Sequence, residues 1–235
     1  MTELSSVLTM PPRAAGDVCS ICRSWRKPGY AVCWNCQTAA DQLGAAVPVI
    51  SVSIYSKPSV LREWLTFYKP SRGVENPEYR QSLREAAAVF LETYADELTA
   101  DFGPFDLAVP VPSGGGALGA VADVIGPSVE SLLAPVEEIV TLAPGAHVRA
   151  GHYSDSWFTV SRNVEGTRIV MLDDVYASGA RAQSASAALR KKGADVTLII
   201  VIGRRINPEF CAEASALWKR QSSESYHLSE SPYWR

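Results

Sequence analysis

R-I-V-M-L-D-D-V-Y-A-S-G-A-R, residues 168 to 181, is the stretch whose reading decides the fold. An apolar run from Ile169 to Leu172 stops at two adjacent carboxylates, Asp173 and Asp174. A half-exposed strand would alternate polar and apolar residues, so an unbroken apolar run marks a strand covered on both faces, as in a parallel sheet. The carboxyl end of such a strand is where open α/β sheets hold ligands. After Val175 and Tyr176 come Ala177, Ser178, Gly179 and Ala180, followed by a helix pattern from Arg181 to Lys192. Small side chains let backbone N–H groups approach an anion at the helix start, where the dipole favours negative charge. Strand, acidic pair, small-residue loop and helix together suit a sugar phosphate, with carboxylates for hydroxyls or Mg²⁺ and amides for the phosphate. Capping alone would explain less, because a cap needs one acidic residue at the helix start, not a pair ahead of Gly179.

The chain has 235 residues, enough for a sizeable core in one or two domains. Its 47% hydrophobic and 20% charged residues are ordinary for a globular protein, which excludes a disordered or fibrous chain. A net charge of −3 gives no global attraction to nucleic acid, so any such contact needs a local basic patch. No apolar run has the length of a membrane span. The first residues, M-T-E-L-S-S-V-L-T-M-P-P-R, lack the basic start and apolar centre of a signal peptide, so a cytoplasmic protein is expected.

Four of the five cysteines, Cys19, Cys22, Cys33 and Cys36, read C-x2-C-x10-C-x2-C. Each C-x-x-C turn points two sulfurs at one centre, and zinc takes four such ligands at tetrahedral corners. Disulfides are the weaker alternative in a reducing compartment. Arg23, Trp25, Arg26, Lys27 and Trp34 surround the cysteines. Two readings stay open: the segment stacks and neutralises single-stranded nucleic acid, or its aromatics cover the metal and pack onto the next domain. Cys211 stands alone and reads as a packed thiol.

Between these motifs, Val49 to Tyr55 reads as a strand, and Leu61, Trp64, Leu65 and Tyr68 recur at helical spacing. Lys69 to Gly73 breaks that helix, and a longer one runs from about Asn76 to Leu98 with Pro77 in its first turn. Trp64 and Phe90 read as core. Phe105 to Pro112 is a second buried strand entering Ser113, Gly114, Gly115 and Gly116, a second anion cradle ahead of a helix at Ala120, Val121 and Val124. The segment from Ala143 to Gly166 is polar, and a long loop of this kind is functional or disordered. Asp155 to Val160 is expected to open a hairpin returning to the motif strand, with Trp157 and Phe158 as packing residues. Asp195 to Ile202 is another doubly buried strand, and Gly203-Arg204-Arg205 follows at its ligand-side end, where Arg204 either reaches phosphate or nucleobase or is solvated or salt-bridged.

The Asp173–Asp174 stretch resembles the PRPP-binding motif of type I phosphoribosyltransferases, in which a hydrophobic strand runs into two acidic residues and a T/S-G loop. With the cysteine pairs, a helical connector and the C-terminal core, the order of parts resembles the ComF family of competence-associated proteins, linked to DNA uptake. The segment Gly114 to Val124 departs from that family's Arg-Gly-Phe-Asn-type segment. The resemblance implies an α/β, type I phosphoribosyltransferase-like fold, a parallel sheet flanked by helices, behind a small N-terminal zinc module. It implies residues 1–45 as that module, 46–100 as a helical connector or hood, 101–207 as the core and 208–235 as a tail. It further implies Asp173 and Asp174 on the ribose hydroxyls, directly or through Mg²⁺, and Val175, Tyr176, Ala177, Ser178, Gly179, Ala180 and Arg181 around the 5-phosphate. Ser113, Gly114 and Gly115 would hold pyrophosphate, and a mobile lid between Ala143 and Gly166 would bring Arg149, with His147 or His152, to the leaving group. Three readings remain open. One is an enzyme moving phosphoribose from PRPP to an unidentified nitrogen acceptor; another is a non-catalytic PRPP sensor binding single-stranded nucleic acid or a DNA-processing protein; the third is a metal-stabilised scaffold with neither activity. The chain begins Met1-Thr2, so ammonia from a glutaminase cysteine is not expected.

Overall fold

The computed structural model of the chain describes residues 2–69, 76–112, 120–228 and 232–235. In order the elements are α1 (Thr2–Val7), α2 (Trp34–Leu43), β1 (Val49–Tyr55), α3 (Val60–Phe67), α4 (Pro77–Phe102), β2 (Leu107–Pro110), α5 (Ala120–Leu132), β3 (Val140–Leu142), β4 (Phe158–Val160), β5 (Arg168–Tyr176), α6 (Ala180–Lys191), β6 (Asp195–Arg205) and α7 (Ala212–Ser222).

Four strands form one sheet in the order β1-β6-β5-β2, every pair parallel. Pro135 to Glu137 extends it beyond β2, where the Ala108 N–H donates to the Pro135 carbonyl at 2.9 Å and the Glu137 N–H to the Ala108 carbonyl at 3.0 Å. Alternation along β5 divides the interior. Val170 and Leu172 join α4, α5 and Trp64 on one face, while Ile169 and Met171 join α6, Phe158 and the four cysteines on the other. The expected class, a parallel sheet flanked by helices behind an N-terminal cysteine module, is the observed one.

The chain leaves β5 through α6 for β6 on one side, and leaves β2 through α5 for Pro135 to Glu137 on the other. Strand order therefore reverses between β5 and β2. The carboxyl ends of these two strands flank the topological switch point, the crevice where such sheets bind ligands.

Local signals place the long helix well. The Asn76 side chain accepts from the Glu78 N–H at 3.0 Å and Pro77 occupies the first turn, so α4 starts where capping predicts. The expected hairpin between Asp155–Val160 and the motif strand does not form. β4 pairs antiparallel with β3 instead, in a separate ribbon. Both edges of β5 are already taken by β2 and β6, so β4 has no ladder to join there.

β1 lies at the sheet edge, which needs protection from stray pairing. Thr9 bridges to Ile54, and the Ile54 N–H donates to the Thr9 carbonyl at 3.0 Å. At the strand centre the Tyr233 hydroxyl accepts from the Ser51 N–H at 2.7 Å and donates to the Ser51 carbonyl at 2.9 Å. Trp234 packs edge-on to Tyr94 and donates through Nε1 to Asp101 at 2.9 Å. The last residues thus join β1 to α4. Trp234→Ala is expected to cost about 3 kcal/mol or more, a fall of roughly 6–12 °C in Tm for a chain of this size. Arg235→Ala, which removes a solvent-screened surface ion pair to Asp101, should leave Tm nearly unchanged; differential scanning calorimetry of both variants checks the contrast.

Candidate functional site

β5 does not stop at its apolar run but continues through both carboxylates to Tyr176. Asp173 and Asp174 are therefore strand residues, only 8% and 7% exposed, at the β5 side of the crevice. The Asp173 Oδ1 accepts from the Asp174 N–H at 2.9 Å. Asp174 Oδ2 accepts from the Tyr68 hydroxyl at 2.9 Å and pairs with Lys69 Nζ at 2.6 Å. Burial, and then the charge of Asp174, push the Asp173 carboxyl well above the usual carboxylate range, with Lys69 acting against them. Burial and the same Asp174 charge push the Tyr68 phenol up. The end of α3 thus supplies a phenol and an ammonium to the acid pair. Tyr68 reads from sequence as part of an apolar stripe and Lys69 as part of a helix break. A contact across 106 residues has no local signature.

The loop after β5 is shaped by Tyr176. Gly179 has φ +82, and a Cβ there would lie 2.1 Å from the Tyr176 hydroxyl, so only glycine fits the turn that opens α6. The Tyr176 hydroxyl accepts from Gln183 Nε2 at 3.1 Å, and Gln183 is itself held by both backbone groups of Val47 at 2.8 Å. Ser178 Oγ accepts from the Ala180 N–H at 3.3 Å. α6 has no acidic residue in its first turn, leaving its dipole open to an anion. Arg181 spans the crevice, donating through Nη1 to the Pro112 carbonyl beyond β2 at 2.9 Å. Val175 is partly buried against the α4–α5 side of the core. Ser113, Gly114 and Gly115 lie outside the described residues.

His147, Arg149 and His152 share an open cleft of about 510 Å³ with Ser156 and Trp157, and neither aspartate lines it. This segment is tied to the β5–α6 loop, because the Tyr153 hydroxyl donates to the Ser178 carbonyl at 2.8 Å. The Tyr153 N–H donates to Gln42 of α2 at 2.8 Å, and the Ser154 N–H to Ser184 of α6 at 3.0 Å.

Cys19, Cys22, Cys33 and Cys36 are all buried, with their sulfurs within 4.8 Å of one another. The Cys22 and Cys33 sulfurs are 3.6 Å apart. A tetrahedron with metal–sulfur bonds of about 2.3 Å has edges of about 3.8 Å, so the four cysteines could hold one metal ion. Among the described residues no other group of three or more His, Cys, Asp or Glu side chains converges in this way. The aromatic residues divide. Trp34 and Tyr30 are 77% and 61% exposed, whereas Trp25 packs the module against Ile54, Ile206 and Leu217, tilted toward Phe210 with centroids 5.5 Å apart. The Val49 N–H also donates to the Ile21 carbonyl at 2.8 Å, docking the cysteine module at the start of β1.

Arg204 lies inside β6 rather than past its end, and is 3% exposed. Its Nη1 donates to the carbonyls of Tyr176 at 2.9 Å, Ala177 at 2.5 Å and Arg205 at 2.9 Å, and its Nη2 approaches Cys22 Sγ at 3.5 Å. It is withdrawn from solvent. The apolar run ends at Ile202, but the strand continues to Arg205, so the inward turn of Arg204 has no signal in the periodicity.

No family model and no curated protein matches the chain. Among solved structures it is similar to an adenine phosphoribosyltransferase (20% identity, TM-score 0.36, 55% of this chain and 71% of that one). It is also similar to adenine phosphoribosyltransferase from Saccharomyces cerevisiae in complex with an imino-altritol bisphosphate and adenine (19%, 0.36, 55% and 70%) and to hypoxanthine-guanine phosphoribosyl transferase from L. donovani (17%, 0.37, 52% and 71%). At such TM-scores these likenesses decide nothing by themselves; strand order and the side chains of the crevice carry the reading.

Because the folded protein raises the Asp173 pKa, it binds that proton more tightly than the unfolded chain does. The stabilising contribution is complete below the ordinary carboxylate pKa and is lost as pH rises through the raised value. Above that value the buried Asp173 carboxylate costs stability. Asp173→Asn is expected to melt higher than the wild type at pH 7.5, by about 2–4 °C for each kcal/mol recovered, with the gap closing toward pH 4. Thermal melts across that range check this; a gap independent of pH would contradict the assignment.

Proposed function

We propose that the chain binds PRPP at the β5–β2 switch point and transfers its phosphoribosyl group to a nitrogen acceptor in a Mg²⁺-dependent reaction. The observation that carries this reading is the buried pair Asp173–Asp174 beside the Gly179 loop and the open start of α6. Two carboxylates held at a cost in the interior need partners that repay them, and vicinal ribose hydroxyls or a divalent cation do so. The pair alone offers too few ligands for a cation cage, which suits Mg²⁺, since it takes one or two carboxylates and completes its shell with substrate phosphates and water. When bound, that ion would neutralise charge on the departing pyrophosphate.

The protein's own residues do the rest. Asp173 and Asp174 orient the ribose through its hydroxyls, with Lys69 giving way from Asp174 as they arrive. The Ala177–Arg181 backbone and the α6 dipole hold the 5-phosphate. Ser113, Gly114 and Gly115 take the pyrophosphate side, and Arg149 supplies positive charge to it when its segment closes. Positioning and charge neutralisation, rather than a nucleophilic side chain, lower the barrier to an oxocarbenium-like C1. The cysteine quartet holds a structural zinc ion.

A second reading is favoured by one observation. Lys27, Tyr30 and Trp34 are all exposed on the cysteine module, a cation with two exposed aromatic side chains of the kind that stacks single-stranded nucleic acid. In that reading the protein is a PRPP-responsive factor of the ComF, DNA-handling type.

Calorimetric titration of PRPP with and without Mg²⁺ tests the first reading. Micromolar binding is expected in the wild type, at least tenfold weaker (about 1.4 kcal/mol) in Asp173→Ala/Asp174→Ala. Pyrophosphate release with one member of a nucleobase and amine panel would identify the acceptor class. Absence of PRPP binding in the metal-loaded wild type would end the phosphoribosyl reading. Salt-sensitive binding of an oligonucleotide, lost in Trp34→Ala, would instead support the second.

A further inference from the structure

Arg204 raises a question of charge. It is a buried guanidinium that no carboxylate pairs with among the described residues, and its Nε has no hydrogen-bond partner. A buried cation needs a counter-charge. Four thiolates around a divalent ion carry a net charge of about −2, equally costly in an interior. Arg23, in the cysteine module itself, donates to the Trp234 carbonyl. The Arg204 Nη2 hydrogen bond to Cys22 Sγ therefore joins a buried cation to a buried anionic centre. Its Nη1 holds the carbonyls of Tyr176 and Ala177, where β5 turns into the phosphate loop, and its plane lies over the Tyr176 ring at 5.1 Å. Tyr176 in turn supports Gly179 from below. One side chain thus touches Cys22 of the cysteine centre with one nitrogen and the start of the phosphate loop with the other.

We infer that metal occupancy of the cysteine centre and PRPP binding at the Ala177–Ala180 loop are thermodynamically coupled, with Arg204 as the positioning residue between them. This rests on the PRPP reading of that loop. With metal bound, the thiolate set fixes Arg204, and Arg204 fixes the two carbonyls from which the loop departs. Loss of the metal by chelation removes the counter-charge, frees the guanidinium and loosens the loop. The fold would then respond to metal occupancy at a site of sugar-phosphate binding. Hydrogen bonds from outer groups to metal-bound ligands commonly tune such centres, and coupling of two sites through a shared element must be reciprocal.

The test compares wild type, Arg204→Lys and Arg204→Met. Zinc affinity is measured by competition with a chromogenic chelator, with and without saturating PRPP and Mg²⁺, and PRPP affinity by calorimetry on loaded and stripped protein. In the wild type each ligand is expected to tighten the other by the same factor, about fivefold or more; in Arg204→Met both ratios fall to about one, and Arg204→Lys, which keeps the charge but cannot span both contacts, lies between. A ratio of one in wild-type protein that binds PRPP overturns the coupling. If the loaded wild type binds no PRPP, the phosphoribosyl reading has failed instead, and the link is read without it. Amide exchange in the peptide covering 176–182 should then accelerate about tenfold on zinc removal while 198–202 in β6 stays protected. Unchanged exchange in that peptide overturns the proposal. Should stripping unfold the whole chain, zinc-loaded Arg204→Met decides: fast loop exchange with β6 intact supports the link, and wild-type exchange refutes it.

Discussion

β5 is hydrogen-bonded along both edges and buried on both faces, and nearly every other element answers to that condition. A strand with no polar face must have a helical layer on each side, so α4 and α5 close one face and α6, with the β3–β4 ribbon, the other. Covering both faces sends the two crossovers in opposite directions, and opposite directions open a crevice at the strand ends. The position of the site is thus a consequence of how the sheet is covered.

Two buried charges of opposite sign sit near the carboxyl ends of neighbouring strands. Register pairs Asp173 with Val201 and Tyr176 with Arg204. The carboxylates and the guanidinium do not neutralise one another. Asp174 is met by Lys69 and Tyr68 from α3 and its end, while Arg204 is met by backbone carbonyls and a cysteine sulfur. Separate partners keep the acid pair available on the crevice side while the guanidinium braces the loop from the opposite side. An interior ion pair between them would be worth little after desolvation and would cancel the chemistry of both.

The cysteine module is joined to the core rather than strung before it. Its backbone reaches the start of β1 at Ile21, its helix α2 reaches the segment after His152 through Gln42, and its sulfur reaches Arg204. A segment this short has no core of its own, so the sheet face and α6 supply one. The outward Trp34 and Tyr30 are then surplus to packing, which is why they stand apart from the buried aromatics Phe90, Tyr94 and Trp234.

Much of this was legible in the residues. The span of β1 from Val49 to Tyr55, the Asn76–Pro77 start of α4, the helix after Gly179 and the cysteine quartet all follow from local signals: apolar runs, a cap, a small-residue turn and a ligand spacing. Those signals act over a few bonds, where propensity and hydrogen-bond geometry are determined by neighbours in the chain. α7, the pairing of β4 with β3, the Tyr68 and Lys69 contacts and the inward turn of Arg204 were not legible. Each depends on which edge, face or counter-charge remains free once the sheet has assembled. The sequence by itself determined an α/β chain with an acidic-pair loop and a four-thiol centre, because those patterns carry their own local energetics. Only the tertiary structure decided that the two centres share a buried arginine, because a charge taken out of water finds its partner in space and not along the chain.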